Sequence, residues 1–145
     1  MRASATMLGQ GGEVMRKTYS APYFEHFRDE WHLSPALDAG EFVFFSGITG
    51  CRADGSVAEN PEAQFRDAFR FLGETLEAAK LGFEDVVEMT TYHVGLRQHL
   101  DAFVKVKDEF VKPPYPAWSA IGITELITEG TLAEIRVICR RRGGA

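Results

Sequence analysis

The sequence predicts an α+β domain in which two helices cover one face of a mixed β-sheet. Two observations support this prediction. Apolar residues recur at helical spacing in some segments, whereas other segments are short runs of β-forming residues bounded by turn residues. The predicted order along the chain is a hairpin of strands, a helix, a strand, a second helix and two further strands.

The length and composition are those of one globular domain. The chain has 145 residues, of which 45% are hydrophobic and 26% are charged. Residues 1–14 are small, polar and rich in glycine, so we expect a flexible lead there. A single domain is predicted over residues 15–145.

The charge balance and hydropathy argue against two classes of protein. The formal net charge is −5, whereas a protein whose main task is to bind nucleic acid normally has a basic excess. No apolar run approaches the roughly 20 residues that a membrane span needs. The first residues also lack the apolar core of a signal peptide. We therefore expect a cytoplasmic protein with no membrane contact and consider nucleic acid an improbable partner.

The cysteines and histidines do not form a metal-binding pattern. Cys51 and Cys139 lie far apart in the sequence and fit neither a CxxC nor a zinc spacing. The four histidines show no pair at ligand spacing. We expect two ordinary buried or half-buried thiols, with a disulfide or a metal site as the alternative, and the histidine spacing argues against a metal enzyme.

The first predicted element is a β-hairpin within residues 31–50. Residues 38–41 supply turn chemistry, and Phe42–Phe45 follow as a β-forming run that is apolar on both faces. Ser46 and Gly47 then interrupt the strand. Because glycine has no side chain, Gly47 allows another group to approach the backbone closely.

The strongest helix signal begins at Asn60 and Pro61, an N-cap residue followed by a proline at the first helical position. One apolar face follows at spacings of three and four residues, consisting of Phe65, Phe69, Leu72, Leu76 and Ala79. Gly82 is predicted to end the helix in the left-handed conformation.

Four elements are predicted in the rest of the chain: a strand over 85–96, a helix over 98–112, and strands over 118–126 and 131–139 joined by a turn at 128–130. The strands are apolar on both faces, although the helices cover only one. A further copy of the chain is the natural cover for the other face.

Two residues are candidates for a site on their own chemistry. Glu134 lies in an apolar strand, either as a solvent-facing carboxylate paired with Arg136 or as an inward carboxylate whose pKa burial would raise for proton transfer. Trp118 is either a core or interface tryptophan or a cleft wall that stacks on a flat ligand.

Ser46 and His93 are weaker candidates. Ser46 is either a turn former or a hydroxyl donor in a cleft, and no nucleophile elbow of the GxSxG type surrounds it. His93, on a predicted strand, is more typical of a structural histidine with satisfied hydrogen bonds. Glycine-rich phosphate loops do not occur in the sequence.

Four segments in order resemble one known family. They are LSPALDAGEFVFFSGITG at 33–50, the start of the helix at 60–64, AAKLGFEDVVEMTTY at 78–92, and PAWSAIGITEL with LAEIRVIC at 116–126 and 132–139. Together they resemble the Rid family, also called YjgF or endoribonuclease L-PSP. The resemblance covers about residues 33–140.

The resemblance implies a chorismate-mutase-like fold and a homotrimer with a central β-barrel, which would cover the sheet face that the pattern leaves open. It also implies small-molecule clefts between subunits. The activity it implies is hydrolysis of enamines or imines to keto acids and ammonia, without a metal or cofactor.

The family's site residues match this sequence only in part. Ser46 with Gly47 matches the Ser-Gly motif, and Glu134 matches the glutamate that positions the attacking water. Trp118 stands at the arginine that binds the substrate carboxylate, ahead of Ser119, and Leu33 stands at the cleft tyrosine. Since an indole cannot replace a bidentate guanidinium, the resemblance implies a changed ligand.

Two further positions depart from the family's pattern. The asparagine of its second helix falls near Val104, and the cysteine two residues after the arginine is Ala120. Arg136, two residues from Glu134 on the same strand face, is a candidate replacement cation or simply a partner for Glu134.

Three functions therefore stay open. The first is a cofactor-free enamine or imine deaminase whose substrate differs from the usual 2-imino acids. The second is a non-catalytic trimer that binds a small molecule. The third is a ribonuclease, against which the acidic charge and the missing basic groove argue.

Overall fold

The computed structural model describes Thr6–Leu8 and residues 16–143. Eight strands and three helices lie within these residues. The strands are β1 (Thr6–Leu8), β2 (Arg16–Tyr19), β3 (Ala36–Asp38), β4 (Phe42–Phe45), β5 (Ile48–Thr49), β6 (Val86–Val94), β7 (Ala117–Ile123) and β8 (Ala133–Arg140). The helices are α1 (Glu25–Trp31), α2 (Pro61–Ala78) and α3 (Leu96–Phe110), with short 3-10 turns at Pro22–Phe24 and Phe83–Asp85.

All eight strands form one mixed sheet. Its order is β1-β2-β3-β4-β8-β6-β7, and β5 also pairs with β8. Among the strand pairs of the described residues, β6 and β7 alone run parallel, and α3 is the crossover that joins them. The predicted α+β class is thus confirmed, with α2 and α3 on one face of the sheet.

The predicted hairpin is present as β3 and β4. Asp38 accepts a hydrogen bond from the backbone N–H of Gly40 at 2.8 Å, and Gly40 takes a positive φ of 101°. A residue with a side chain rarely adopts this conformation, so the glycine allows the tight turn. Side chains of β4 alternate between the two faces of the sheet: Val43 and Phe45 are buried, whereas Phe42 and Phe44 are exposed.

Helix α2 begins as predicted, and the Asn60 side chain accepts a hydrogen bond from the N–H of Ala63 at 3.0 Å. Its end differs from the prediction. The helix stops at Ala78, and the left-handed residue is Lys80 with φ 60°. Gly82 has an extended φ of −133° and begins the following 3-10 turn, so its predicted role as helix cap is wrong.

The last two strands do not pair with each other. β8 lies in the centre of the sheet between β4 and β6, whereas β7 lies at the edge beside β6. The turn near 128–130 is present, and Gly130 has a φ of 88° there. The chain between the two strands must therefore cross β6 rather than close a hairpin.

The hydrophobic core lies between the helices and one face of the sheet. Phe65, Phe69 and Leu72 of α2 are almost fully buried, as are Ile135 and Val137 of β8. Burying each such side chain contributes roughly 1.5–3 kcal/mol. This core accounts for the predicted apolar face of α2.

The opposite sheet face carries exposed apolar side chains in the single chain. Phe42, Phe44 and Ile121 are 38%, 39% and 43% exposed, and such apolar surface on one sheet face is typical of a surface that contacts a partner. We call this surface the open sheet face. The prediction that the strands are apolar on both faces is thus confirmed.

The flexible lead predicted over residues 1–14 lies outside the described residues, except for Thr6–Leu8. These three residues form β1, which pairs antiparallel with β2.

Candidate functional site

A pocket of about 210 Å³ opens beside the point where β4 passes into β5. Four residues that the sequence singled out line it together: Leu33, Ser46, Gly47 and Glu134. They come from the segment before β3, from the β4–β5 junction and from β8. Segments far apart in the sequence are thus brought to one place by the sheet.

The pocket exists because the register of the sheet changes at its floor. Phe44 lies opposite Ile138 and Ile48 lies opposite Ile135, so one extra residue is accommodated between β4 and β5. Such a bulge bends the strand and redirects its side chains. Ser46 and Gly47 occupy this bulge, where they end the regular pairing.

Glu134 lies on the side of β8 that faces away from α2 and α3. Its backbone is opposite Thr49 on one side and Tyr92 on the other, while its neighbours Ala133 and Ile135 are buried in the core. The side chain is half-buried. Burial raises the pKa of the Glu134 carboxyl above its ordinary value.

Gly47 holds open the space that the Glu134 side chain occupies. A Cβ built on Gly47 would lie 2.5 Å from Oε2 and 2.7 Å from Cγ of Glu134, well inside van der Waals contact. The close approach predicted at this glycine is confirmed, and the approaching group is the carboxylate. Any larger residue at position 47 would have to displace the Glu134 carboxylate.

The Ser46 hydroxyl is already committed to a hydrogen bond. Its Oγ donates to the carbonyl oxygen of Ser34 at 2.6 Å, and its N–H donates to the carbonyl of Pro35 at 3.0 Å. Ser46 therefore fastens the bulge to the segment before β3. Toward the pocket its Oγ presents lone pairs, which accept rather than donate hydrogen bonds.

One wall of the pocket was missed by the sequence reasoning. Phe24, Phe27 and Trp31 of the first helical segment line it, with Ile127 from the loop before β8. The rings form a chain, with centroids 5.5 Å apart for Phe24 and Phe27 and 6.4 Å apart for Phe27 and Trp31. The sequence feature that could have indicated this wall is the spacing of the three aromatic residues, which is three and four residues and therefore helical.

Trp118 does not line this pocket. It lies on the helix side of edge strand β7, where its Nε1 donates to Thr91 Oγ1 at 2.9 Å and its ring stacks on Phe103 at 6.1 Å. The ammonium of Lys107 lies 4.7 Å from the ring centroid. The ring remains 36% exposed.

Ser119 and Arg136 also lie outside the pocket. Thr90 of β6 stands between them, opposite Ser119 on one side and Arg136 on the other. Both therefore lie on the open sheet face in one row. Arg136 shares this face with Glu134, as the alternation of β8 predicts, but its side chain is exposed.

His93 is buried beside Phe103, and its side chain makes one hydrogen bond within the described residues. Its Nε2 is 2.7 Å from Thr91 Oγ1, and its ring meets Phe103 edge-on at a centroid distance of 4.6 Å. Its Nδ1 has no hydrogen-bond partner among the described residues. Burial lowers the pKa of His93 to about 4, so the ring is neutral near pH 7.

Both cysteines are free thiols, with Cys51 half-buried on the pocket wall and Cys139 buried in the core. Within the described residues, no three His, Cys, Asp or Glu side chains are arranged to hold a metal ion. In the same part of the chain, no helix has the length and apolar character to cross a bilayer.

Comparisons with known proteins agree with this architecture. The sequence profile of the endoribonuclease L-PSP family matches residues 26–140. The chain is 38% identical over 112 residues to the RutC family protein YjgH of Escherichia coli K12, an alignment covering 77% of this chain and 84% of that protein.

Solved structures show the same similarity. A structure of protein YjgH superposes with a TM-score of 0.72 at 34% identity, covering 96% of this chain and 95% of that one. RidA from the Antarctic bacterium Psychrobacter sp. superposes with a TM-score of 0.70 at 26% identity, covering 75% and 88%. The chain therefore belongs to the Rid (YjgF, endoribonuclease L-PSP) family.

Proposed function

We propose that this protein hydrolyses a reactive enamine or imine to a carbonyl compound and ammonia, without a metal or cofactor. The observation that supports this best is the Glu134 carboxylate, half-buried against Gly47 in a mostly apolar pocket. Membership of the Rid family supports the same chemistry. The substrate is expected to differ from the usual 2-imino acids, because Trp118 replaces the carboxylate-binding arginine.

The reaction needs one base beside the attacking water. Burial raises the pKa of the Glu134 carboxyl, which makes its carboxylate a stronger proton acceptor. Glu134 takes a proton from water as the oxygen bonds to the imine carbon and the C=N electron pair moves to nitrogen. In the carbinolamine formed from a protonated imine, the amino nitrogen takes this proton from Glu134. As the C–N bond breaks, the hydroxyl oxygen gives its proton to Glu134 and becomes the carbonyl, and the departing ammonia takes up that last proton as ammonium.

The assembly is part of the proposal. Three copies would pack around the open sheet face, and the pocket would lie in a cleft between two of them. Trp118 and Ser119, which lie outside the pocket of their own chain, would reach a ligand only from a neighbouring copy. The exposed apolar residues of the open sheet face support this arrangement, because a water-exposed face of this kind is costly.

A second candidate is a trimer that binds a small molecule without turning it over. The state of Trp118 favours it, since this residue stands where the family carries its arginine and is engaged with Thr91, Phe103 and Lys107. A ribonuclease is disfavoured because the net charge of −5 gives little attraction for phosphate.

Substitution of Glu134 by glutamine tests the proposed chemistry. We expect E134Q to abolish acceleration of ammonia release from imines that an oxidase generates in the assay. The melting temperature should stay the same or rise, because a neutral side chain carries no cost of burying charge. In the wild type, the rate should fall as the pH drops through the raised pKa of Glu134, since only the carboxylate accepts a proton.

The matched control is Glu77→Gln, which makes the same chemical change on an exposed position of α2. It should leave the rate and the sedimentation of the protein unchanged. Activity that survives in E134Q would contradict the mechanism. Stabilisation of the wild type by small molecules without turnover of any imine would favour the non-catalytic candidate instead.

A further inference from the structure

Two charged side chains on the open sheet face have no partner in their own chain. The alternation of β8 and β6 places Arg136 and Glu88 on this face, and both are exposed. Among the described residues, neither side chain takes part in an ion pair or a hydrogen bond. The other charged groups of β8 on this face are accounted for, since Arg140 pairs with Glu41 at 2.6 Å and Glu134 lies in the pocket.

The two unpaired charges lie close together, with apolar side chains beside them. Glu88 is opposite Ile138, which follows Arg136 by two residues on the same face, and Phe44 continues that row on β4. Diagonal neighbours of this kind in an antiparallel pair are about 7–8 Å apart. The face therefore carries one cation and one anion on otherwise mostly apolar surface.

Assembly on the open sheet face makes these charges costly unless each meets its opposite. A charge buried without a partner destabilises an interface strongly, whereas opposite charges fix how two surfaces fit together. In a ring of identical copies, each contact joins one part of the surface to a different part of the next copy. A contact of β8 on one copy with β6 on the next uses both charges once and leaves neither unpaired. The face therefore fits a second copy of this chain.

Arg136 lies beside the pocket of its own chain. It is two residues from Glu134 on the same face of β8, a separation of about 7 Å along an extended strand. It is also level with the bulge that Ser46 and Gly47 form between β4 and β5. A copy that binds Arg136 therefore approaches the pocket at this edge.

Glu88 lies beside the start of β7. It is opposite Ala117, and Trp118 and Ser119 follow directly. A neighbour whose Glu88 meets Arg136 therefore brings the start of its β7 toward the pocket. This contact accounts for how Trp118 and Ser119, which lie outside the pocket of their own chain, would reach a ligand in the next copy.

We propose that Arg136 of one copy binds Glu88 of the next, and that this ion pair sets the position in which the start of β7 completes the neighbouring pocket. The inference rests on the assembly in the proposed function and assigns to it a contact that no single chain makes. A planar guanidinium can bind both oxygens of a carboxylate, which fixes the orientation of the two copies as well as their distance.

Charge reversal at the two positions tests the pair. We expect Arg136→Glu and Glu88→Arg each to place like charges at every contact, and to raise the dissociation constant of the trimer at least about a hundredfold. Sedimentation velocity at micromolar concentration should show monomers for each variant and trimers for the wild type. The matched control is Arg97→Glu, a charge reversal at an exposed position of α3, which should remain trimeric.

A mixture of the two variants separates a pair between copies from a pair within one chain. In a mixed trimer, two of the three contacts join opposite charges, because residue 136 of each variant then meets residue 88 of the other. We expect the mixture to recover trimers and part of the ammonia release, although neither variant does so alone. A pair within one chain would give like charges in every copy of the mixture, so an absence of recovery would overturn the inference.

Neutral variants keep the test decisive if a charge reversal disturbs folding. Arg136→Met leaves Glu88 unpaired and should weaken the trimer. Arg136→Met combined with Glu88→Gln removes both charges and should strengthen it again. Equal weakening in the single and the combined variant would contradict the ion pair.

The outcomes distinguish the ion pair from the proposed function. Wild-type trimers in Arg136→Glu would overturn the pair while the assembly stands. A wild type that sediments as a monomer would overturn the assembly and the pair with it. A wild-type trimer that accelerates no ammonia release, but dissociates in both reversal variants and reassembles in their mixture, would refute the hydrolysis and support the pair.

Discussion

Gly47 and Glu134 act as a pair at the scale of single residues. The Glu134 side chain fills the space that the missing side chain of Gly47 leaves empty. Gly47 is needed for this space and not for a left-handed backbone conformation, since its φ is not positive. We expect Gly47→Ala to push the carboxylate out of place with little loss of stability. A displacement of about 1 Å can lower a rate by about 10²-fold, so kcat should fall by up to that factor.

Steady-state kinetics and thermal melting of Gly47→Ala check this expectation. Gly122→Ala is a suitable control, because its new Cβ would make only an ordinary contact of 3.6 Å with Leu96. A Gly47→Ala protein with wild-type kcat would show that the position of the carboxylate does not limit the reaction.

His93 couples stability to pH. Its pKa is about 4 in the folded chain and about 6.5 when unfolded. The unfolded chain therefore binds more protons between these values, and the free energy of unfolding falls as the pH drops from 6.5 to 4. The contribution lost over this range is at most about 3 kcal/mol.

Urea unfolding at several pH values measures this dependence. In His93→Leu the slope of unfolding free energy against pH should be smaller than in the wild type over the same range. Identical slopes in the two proteins would mean that other groups cause the acid sensitivity.

At the scale of elements, the N-terminus of α2 depends on one side chain. Asn60 satisfies the N–H of Ala63, which has no partner within the helix, and Pro61 follows it. We expect Asn60→Ala to lower the free energy of unfolding by about 1 kcal/mol.

Chemical denaturation of Asn60→Ala gives this value directly. Asn60→Asp keeps a capping oxygen and adds a negative charge at the positive end of the helix, so it should retain wild-type stability. Equal losses in the two variants would show that the cap does not stabilise the helix.

The open sheet face is the feature of the whole molecule that most needs a partner. Phe44 is 39% exposed there and lies opposite Ile138, whereas the adjacent Val43 is fully buried. If the trimer forms on this face, a charge at its centre must be buried unpaired on assembly. We expect Phe44→Arg to reduce the protein to monomers.

Sedimentation velocity of the wild type and of Phe44→Arg distinguishes a trimer from a monomer. Glu77→Arg, a substitution at an exposed position of α2, should sediment like the wild type. A Phe44→Arg protein that sediments like the wild type would place the assembly on another surface.

Much of the molecule follows from local sequence rules. The turn at Gly40, the cap at Asn60, the apolar face of α2 and the alternation of β8 each depend on residues close together in the chain, and each is present. Helix α1 was missed although Phe24, Phe27 and Trp31 have helical spacing, because a helix of seven residues repeats the pattern too few times to distinguish it from chance. The end of α2 was misplaced because Lys80 adopts the conformation expected of a glycine.

The sequence by itself determined the fold class, the family resemblance, the close approach at Gly47 and the candidates Ser46 and Glu134. These depend on periodicity and on residue type, which a single chain carries in its order. Only the tertiary structure decided that β8 lies beside β4 and β5, so that Glu134 reaches Gly47, and that Trp118 lies outside their pocket. Pairing between distant strands and a change of register at a bulge are set by packing of the whole core, which no short stretch of sequence specifies.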